Sequence, residues 1–360
     1  MRKEIYRMDS QAARTLLARS RVIHLASTTT AGAPLLRTLH AAVMGQGLYF
    51  HGAPAGEKLE AIGRPAVVSA DEILAEIPSY FLDPERACPA TTYYDSVQAH
   101  GALEEVTDAD EKARALQALM EKYQPEGGHV PIAASDPLYR KAVAGVLVLR
   151  LSLDQIDGKT KLGQNRSAAD LRAVLQKLWQ RGLPTDPRAI DKVASRLRTA
   201  EGLAALPDFL RGPGSTWLCC ALEEDDADAA VALLRDAYWN SWPTDDEIRR
   251  SHLGSTAWVG ARDERGQLVA TARALSDGGK FALIHDVMVG AEHRGRGLGD
   301  ALLRLLLQHP RLRGSARIWL RTRDAMAFYQ RHGFVPAADL PATPYVSTDM
   351  WLCRPRTHAP

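Results

Sequence analysis

The stretch that decides the fold of this chain spans residues 287–307 and reads VMVGAEHRGRGLGDALLRLLL. An apolar strand leads into the loop Arg294-Gly295-Arg296-Gly297-Leu298-Gly299, and an amphipathic helix is predicted from about Gly299 to Gln308. Three glycines let the backbone curl so that successive N–H groups point at one spot, and the helix adds its positive N-terminal end. The pattern predicts an anion site, with phosphate as the expected anion.

Two widespread phosphate loops do not fit this spacing. A P-loop ends in Gly-Lys-Ser/Thr, which is absent, and the dinucleotide fingerprint G-x-G-x-x-G differs from the G-x-G-x-G found here. What remains is R-x-x-G-x-G, with Arg294, Gly297 and Gly299 at its fixed positions. On this motif alone, a glycine turn with solvated arginines and a phosphate contact to nucleic acid both stay open.

The downstream residues favour one reading of the loop. A β-type segment, ARIWLR (316–321), precedes DAMAFYQRHGF (324–334). Together with R-x-x-G-x-G, this order resembles the GNAT acyltransferase superfamily, whose pyrophosphate loop cradles coenzyme A and whose members commonly carry a helix ending in F-Y-x-x-x-G-F. The resemblance extends back to about Trp217. It implies an α/β (α+β) fold with a central mixed sheet and an acetyl-CoA-dependent acetyltransferase.

The resemblance also implies site residues in this half of the chain. Tyr329 stands at the general-acid position, with a half-buried packing role as the alternative. Asp286 is the preferred general base over His285 and Glu292, and strand alternation predicts opposite faces for residues 285 and 286. The residues expected to contact coenzyme A are Val287, Val289, Arg294, Gly295, Arg296, Gly297, Leu298 and Gly299. An aromatic cluster, Tyr238, Trp239 and Trp242, is either the acceptor pocket or core.

Length and composition limit the remaining possibilities. A chain of 360 residues is expected to form two domains, because single cores usually stop growing near about 250–300 residues. The net charge of +2 provides no argument for nucleic acid or an anionic membrane. The four cysteines form no C-x-x-C pair, so we expect buried free thiols and no metal site. No apolar run suggests a signal peptide or a membrane span, and we expect a cytoplasmic protein.

The first half of the chain reads as many short strands with few helices, which is typical of a small barrel. Asp9 is expected to cap a helix over residues 10–19. Strands are predicted over 21–27, 35–44, 48–51, 65–75, 92–106 and 143–153. Helices are predicted over 57–63, 108–123, 168–181 and 186–206, and the Gly/Pro-rich segment PDFLRGPGS (207–215) is the predicted domain boundary.

Four polar stretches interrupt these strands: RTLH (37–40), HGAPAGEK (51–58), TYYDSVQAHG (92–101) and GKTKLGQNR (158–166). Taken singly, each is ordinary loop chemistry. In this order, and above all in LYFHGAPAGEKLEAIG, they resemble the FMN-binding split-barrel family of pyridoxamine-phosphate oxidase, and more closely its nitroimidazole-reductase-like and PaiB-like branches. The resemblance covers about residues 5–180 and implies a mainly antiparallel β split barrel with helices.

The split-barrel resemblance implies a flavin site, because cations and amide or hydroxyl groups are what a flavin phosphate and ring require. The residues it implies are Arg37, Thr38, Leu39, His51, Gly52, Lys58, Ser96, Gln98, Lys161, Gln164 and Asn165. Lys58 would bind the phosphate. Relatives that hold haem or a deazaflavin keep the cofactor open, and the usual position of the flavin between two subunits implies a homodimer.

We therefore predict an FMN-binding split barrel over 1–180, a helical linker over 181–214 and a GNAT domain over 215–360. The leading hypothesis is a bifunctional enzyme: an FMN-dependent oxidoreductase fused to an N-acetyltransferase that acts on a small-molecule amine. The alternative is a flavin or haem sensor barrel that regulates the acetyltransferase. A nucleic-acid-binding regulator is the weakest hypothesis, since the chain has no basic helix.

Overall fold

A computed structural model of the chain describes residues 4–197 and 205–340. The segment VSTDMWLC (346–353), which the sequence predicts as the strand that closes the C-terminal sheet, lies outside the described residues. Within the described ranges, no helix combines the length and the apolar character needed to cross a membrane.

The N-terminal domain is a nine-stranded antiparallel sheet with helices at its margins. Its elements are β1 (Arg7–Met8), α1 (Ser10–Arg19), β2 (Ile23–Thr28), β3 (Pro34–Leu39), β4 (Ala42–Met44), β5 (Gly47–Gly52), β6 (Pro65–Ile77), β7 (Thr91–Glu105), α2 (Ala109–Tyr123), α3 (Arg140–Gly145), β8 (Leu147–Ser152) and β9 (Gln155–Lys161). The strand order is β3-β2-β6-β7-β8-β5-β4, and β9 pairs with both β1 and β7. The end strands β3 and β4 do not pair within residues 4–197, so the sheet is a split barrel rather than a closed one.

Several predicted elements of this domain are confirmed. Asp9 caps α1 by accepting a hydrogen bond from the N–H of Ala12, and Leu16 and Leu17 are buried as expected. The predicted helix over 57–63 is a 3-10 helix, Glu57–Ala61. Two strand predictions were wrong: the 35–44 segment breaks into β3 and β4, and the start of the 143–153 segment forms α3.

Two helices connect the domains: α4 (Ala168–Arg181) and α5 (Asp186–Arg196). α4 has the predicted bounds, with Ser167 as its N-cap and Gly182 in the left-handed conformation at its C-cap. α5 ends ten residues short of the prediction of residue 206. Both helices pack into one hydrophobic core that contains residues of the barrel and of the C-terminal sheet, such as Leu74, Leu175, Ile190 and Ala272. Helices α4 and α5 therefore form a packed layer between the two sheets.

Helix α5 also joins the two domains through charged groups. Arg188 pairs with Glu72 of β6 and with Glu223 of the C-terminal domain. Lys192 pairs with Asp95 of β7, which is 3 % exposed. Asp191 accepts hydrogen bonds from the backbone N–H groups of Cys220 at 2.9 Å and Ala221 at 2.6 Å.

The C-terminal domain is a five-stranded mixed sheet with helices on both faces. Its elements are β10 (Trp217–Cys219), α6 (Ala227–Leu234), α7 (Asp245–Leu253), β11 (Ala257–Arg262), β12 (Leu268–Ser276), β13 (Phe281–Val289), α8 (Leu298–Leu307), β14 (Arg317–Trp319) and α9 (Met326–Gln330). The strand order is β10-β11-β12-β13-β14, with only the β13–β14 pair parallel. This architecture matches the mixed sheet that the sequence predicts.

The cysteines divide between surface and interior. Cys219 and Cys220 are buried, as predicted, whereas Cys88 is exposed, so the prediction of a buried thiol was wrong at that position. Burial raises the pKa of the Cys220 thiol well above its ordinary value. The Cys220 thiol is therefore favoured in its neutral form inside the core.

Candidate active site and flavin site

The candidate acetyl-transfer site begins where β13 and β14 separate. Their parallel pairing ends at Leu283 and Trp319, but β13 continues to Val289 without β14 beside it. Val287 and Val289 pack against the core on the α8 side of the sheet. The last residues of β13 thus run beyond the paired part of β14, and the glycine-rich loop follows directly after Val289.

The loop between β13 and α8 presents a row of backbone donors. Gly295 and Gly297 have φ values of +72° and +82°, and no atom lies within 4 Å of a Cβ built on either residue. Among the described residues, the N–H groups of residues 295–300 find no acceptor. Six donors without a protein acceptor in the described ranges, at the start of a helix, suit a pyrophosphate.

The two arginines of this loop lie differently. Arg294 folds back on β13, where its Nε donates to the carbonyl oxygen of Val289 at 2.9 Å. Arg296 lines a cavity of about 370 Å³ with His293, Leu298 and the turn at 263–265. Arg294 is thus positioned to brace the loop against the strand, and its direct contact with phosphate stays a prediction.

Tyr329 lies on α9, beside the start of α8. Its neighbour Phe328 approaches Gly299, and the Tyr329 ring packs against Phe328 and Phe334 with centroid distances of 5.0 and 5.8 Å. Burial raises the pKa of Tyr329 to about 12, with smaller effects from Tyr238 and Asp324. The phenol is therefore neutral at physiological pH, as a proton donor must be.

A β-bulge in β13 changes the predicted placement of His285 and Asp286. Met288 pairs with Thr271 and His285 with Arg273, so β13 carries one residue more than β12 across this interval. Asp286 adopts a φ of +53°, the one positive φ of a non-glycine residue in the described ranges. The extra residue puts Asp286 on the same side as Arg273 and its cross-strand partner His285. The predicted opposite faces for residues 285 and 286 were therefore wrong.

Both carboxylate oxygens of Asp286 are occupied. Oδ1 accepts a hydrogen bond from Trp239 Nε1 at 2.9 Å, and Oδ2 pairs with Arg273 Nε at 2.5 Å. The Asp286 side chain is 8 % exposed. Burial, then Arg273, lowers the pKa of His285, while Asp286 opposes that change. His285 is therefore a neutral imidazole beside a fixed carboxylate.

The three aromatic residues predicted to form either the acceptor pocket or core lie in different environments. Trp242 is 68 % exposed, whereas the Trp239 ring packs against Met288, with Tyr238 edge-on at 4.8 Å. Arg323 lies over the Tyr238 ring at 3.6 Å and donates its backbone N–H to the Tyr238 hydroxyl. Sequence reasoning missed Arg273 and Arg323, since neither belongs to a motif. Glu292, the third candidate base, is exposed on a 3-10 helix outside this cluster.

The residues predicted to bind flavin fall into three groups. The first surrounds Gly52: a Cβ there would clash with the Lys58 ammonium, and burial, His40 and Lys58 lower the pKa of His51. Arg37 pairs with Glu57 on the adjoining 3-10 helix. Leu39 instead packs against the barrel core. No carboxylate among the described residues pairs with Lys58, so its free cation suits a phosphate.

The second group lies on the outer face of the sheet. Thr38, His24, Ser69 and Gln98 are paired in one row across β3, β2, β6 and β7, so their side chains share that face. Thr38 and Gln98 are three strand spacings apart, about 14 Å. Ser96 precedes Gln98 by two positions and lies on the same face.

The third group follows β9. Lys161 Nζ donates to Thr91 Oγ1 at 2.5 Å, and Asn165 Oδ1 accepts from the Tyr6 hydroxyl at 3.0 Å. Gln164 is folded onto its own loop, where it accepts from Leu162 N and donates to Thr160 O, both at 2.7 Å. The described chain therefore does not gather all the predicted flavin residues around one point.

Known proteins match each half of the chain separately. Residues 9–160 match the pyridoxamine 5′-phosphate oxidase family, and residues 216–334 match the GNAT acetyltransferase family. Glucosamine 6-phosphate N-acetyltransferase 1 of Oryza sativa is 29 % identical over 34 % of this chain and 84 % of its own length. The chain spans only 45 % and 47 % of two further curated N-acetyltransferase relatives, from Pyropia yezoensis and Arabidopsis thaliana.

Solved structures divide in the same way. A proposed GNAT-family acetyltransferase from Xanthomonas campestris is 31 % identical, covering 38 % of this chain and 96 % of that one, with a TM-score of 0.32. An FAD- and haem-binding protein from Mycobacterium smegmatis is 22 % identical, covering 47 % and 80 %, with a TM-score of 0.38. The two family matches, over residues 9–160 and 216–334, show that the chain joins a domain of the pyridoxamine 5′-phosphate oxidase-like family to a domain of the GNAT acetyltransferase family.

Proposed function

We propose that this protein is a bifunctional enzyme, in which the GNAT domain transfers an acetyl group from acetyl-CoA to a small-molecule amine and the barrel binds FMN for a redox reaction. The observation that carries the first activity is the row of free N–H groups at residues 295–300. Bound there, acetyl-CoA supplies the thioester. Tyr329 protonates the leaving thiolate, and the strand pair His285 and Asp286 handles the amine proton.

The acceptor class follows from the site and from one relative. Arg323 lies over the aromatic ring of Tyr238, and its exposed guanidinium is 3.4 Å from the exposed carboxylate of Asp324, so it can still meet a substrate anion. The rice relative is described as acting on glucosamine 6-phosphate. An amino sugar phosphate is therefore the first acceptor to test, with plain amino sugars and alkylamines as comparison.

FMN is the proposed barrel cofactor, and the free Lys58 ammonium beside Gly52 and His51 supports it. FMN, when bound, supplies the redox chemistry. A homodimer through the outer sheet face is part of this proposal, because Leu36 and Ile73 are 64 % and 60 % exposed there. A second copy could bring the other two groups of predicted residues around the same flavin.

The alternative function, a sensor barrel that regulates the acetyltransferase, has its own supporting observation. Arg188 of α5 pairs with one carboxylate from each domain, so a change at β6 can reach the C-terminal domain through a single side chain. Turnover of a nicotinamide donor discriminates the two functions, since a sensor would show none.

The first experiment is an absorbance spectrum of the purified chain, followed by identification of any small molecule that heat releases. Released FMN supports the proposed flavin site, and turnover of a nicotinamide donor then distinguishes the oxidoreductase from the sensor. A Soret band favours haem and removes Lys58 as a flavin-phosphate ligand. A colourless protein that takes up no added FMN would leave only acetyl transfer, which release of coenzyme A in the presence of glucosamine 6-phosphate tests separately.

A further inference from the structure

The β13 bulge places two candidate proton acceptors side by side, and their surroundings differ. Asp286 has both oxygens engaged, by Trp239 and by Arg273, and its side chain is nearly inaccessible. Hydrogen bonds from a guanidinium and an indole N–H therefore occupy the oxygens that a base would have to present. This leaves the carboxylate poorly placed to meet an incoming ammonium group directly.

His285 lacks such engagement. No hydrogen bond from its ring to another described residue is found, and the side chain is only partly buried. Its cross-strand pairing with Arg273 directs the ring to the side of the sheet that α7 and Trp239 cover. The ring is therefore available to a molecule that enters beside Tyr238 and Trp239.

The charges around His285 come from three elements. Arg273 of β12 disfavours a second positive charge, and the fixed Asp286 carboxylate favours it. His252 of α7, 1 % exposed, faces the same Asp286 and Arg273 charges; its Nδ1–H donates to the carbonyl oxygen of Ile248 at 2.8 Å, and burial lowers its pKa. Burial and Arg273 favour the uncharged His285 imidazole before it accepts a proton. Once it has done so, the Asp286 carboxylate stabilises the imidazolium.

We propose that His285 is the catalytic base of acetyl transfer and that Asp286 is a positioning residue, held by Arg273 and Trp239 so that its carboxylate stabilises the imidazolium. This inference rests on the acetyltransferase function proposed above and assigns the roles within that same site. The left-handed backbone at Asp286 is what brings the two side chains together.

The chemical step balances with the groups present. His285 takes one proton from the substrate ammonium, and the freed nitrogen lone pair attacks the thioester carbonyl carbon. The C–S bond breaks, and the thiolate takes the proton of the Tyr329 hydroxyl. The nitrogen releases its second proton to the tyrosinate, and the imidazolium returns its proton to water. The products are the acetamide, coenzyme A and one proton.

The test compares His285→Gln, Asp286→Asn and the control Glu292→Gln. Each is assayed for coenzyme A release over a range of pH with an amine that the wild type acetylates, chosen from glucosamine 6-phosphate, glucosamine and primary alkylamines. We expect His285→Gln to lower kcat/KM by about 10²–10³-fold at neutral pH and to abolish the acid limb of the profile. Asp286→Asn should retain the acid limb of the pH profile. The limb should move to lower pH, because the His285 imidazolium loses the carboxylate that stabilises it. Glu292→Gln should match wild type.

Chemical rescue separates catalysis from folding. Added imidazole should restore part of the activity of His285→Ala, and acetyl-CoA binding by calorimetry should be unchanged in that variant. The inference is overturned if His285→Gln keeps the acid limb while Asp286→Asn loses it, or if a folded His285→Ala shows no rescue. A wild type that acetylates none of these amines despite binding acetyl-CoA would instead count against the proposed function.

Discussion

The two candidate sites of this chain are built in different ways. The acetyl-transfer site is made largely of backbone: a loop with two left-handed glycines, the first turn of α8 and a bulged strand. The flavin candidates are side chains on separate strands, with Thr38 and Gln98 about 14 Å apart. A backbone site is complete within a few consecutive residues, whereas a side-chain site depends on how strands, and here a second copy, are assembled.

The largest expected effect concerns Tyr329, the side chain that supplies the proton for the leaving group in the backbone-built site. Tyr329→Phe should lower kcat for acetyl transfer by about 10²–10⁴-fold, because the leaving thiolate loses its proton donor. The affinity for coenzyme A should change less than about twofold, measured by calorimetry. Equal losses in turnover and in binding would show that Tyr329 only packs against Phe328 and Phe334.

The second prediction is a pH effect on stability that comes from His309, which packs against Trp179 of α4 where the two domains meet. Burial lowers the pKa of His309 from 6.5 to about 4, and its side chain is 3 % exposed. The unfolded chain therefore binds this proton first, so stability falls as pH drops from about 6.5 towards 4. The loss by pH 4.5 should be about 2–3 kcal/mol.

Denaturant midpoints measured at pH 7 and pH 4.5 check that expectation. His309→Gln keeps a polar group but cannot take up the proton, so its stability should fall less between the two pH values than that of the wild type. If both proteins lose the same free energy of unfolding, other groups dominate the acid response.

A smaller effect tests the claim that the loop backbone itself binds the cofactor. Gly297→Ala introduces a Cβ at a φ of +82°, which costs about 1–2 kcal/mol in the left-handed region. We expect acetyl-CoA affinity to fall about 10–30-fold as the loop relaxes. Gly278→Ala is the matched control, with a φ of +79°, open space around its Cβ and a position in the turn between β12 and β13. It should destabilise the fold comparably and leave affinity unchanged.

The smallest expected effect concerns the barrel, where Lys58 is one of several groups expected to contribute to FMN affinity. Lys58→Met should weaken FMN binding about 10-fold, measured by fluorescence titration, since a single charge-assisted phosphate contact is worth roughly 1.5–3 kcal/mol before other groups compensate. Lys141→Met, an exposed lysine on α3, serves as the control. If both variants bind FMN equally well, the pocket around Gly52 does not hold the phosphate.

Local signals account for the elements that were predicted correctly. The helix α4 needs only its Ser167 cap, its apolar stripe and Gly182, all visible in a few residues. The break between β3 and β4 falls at His40 and Ala41 and was missed because no Gly or Pro marks it. The early end of α5 and the start of α3 were missed because neither boundary carries a capping signal: α3 follows Tyr139, which makes no side-chain cap, and α5 ends before Leu197 rather than a Gly or Asn.

The domain boundaries and the homodimer stay predictions. The described residues form one core across α4 and α5, and Arg188 and Lys192 add ion pairs between the domains. Charge pairing between residues about a hundred positions apart leaves no pattern in a single sequence. Only the packed structure brings Glu72, Asp95 and Glu223 around the same helix.

The sequence by itself determined the two family memberships, the glycine-rich loop and the position of Tyr329, because these depend on residue types at short, fixed spacings. Tertiary structure alone decided the faces of His285 and Asp286. Their arrangement comes from one extra residue in β13 relative to β12, and from Arg273 and Trp239, which hold the Asp286 carboxylate. A bulge is a relation between two strands, so neither strand's sequence contains it.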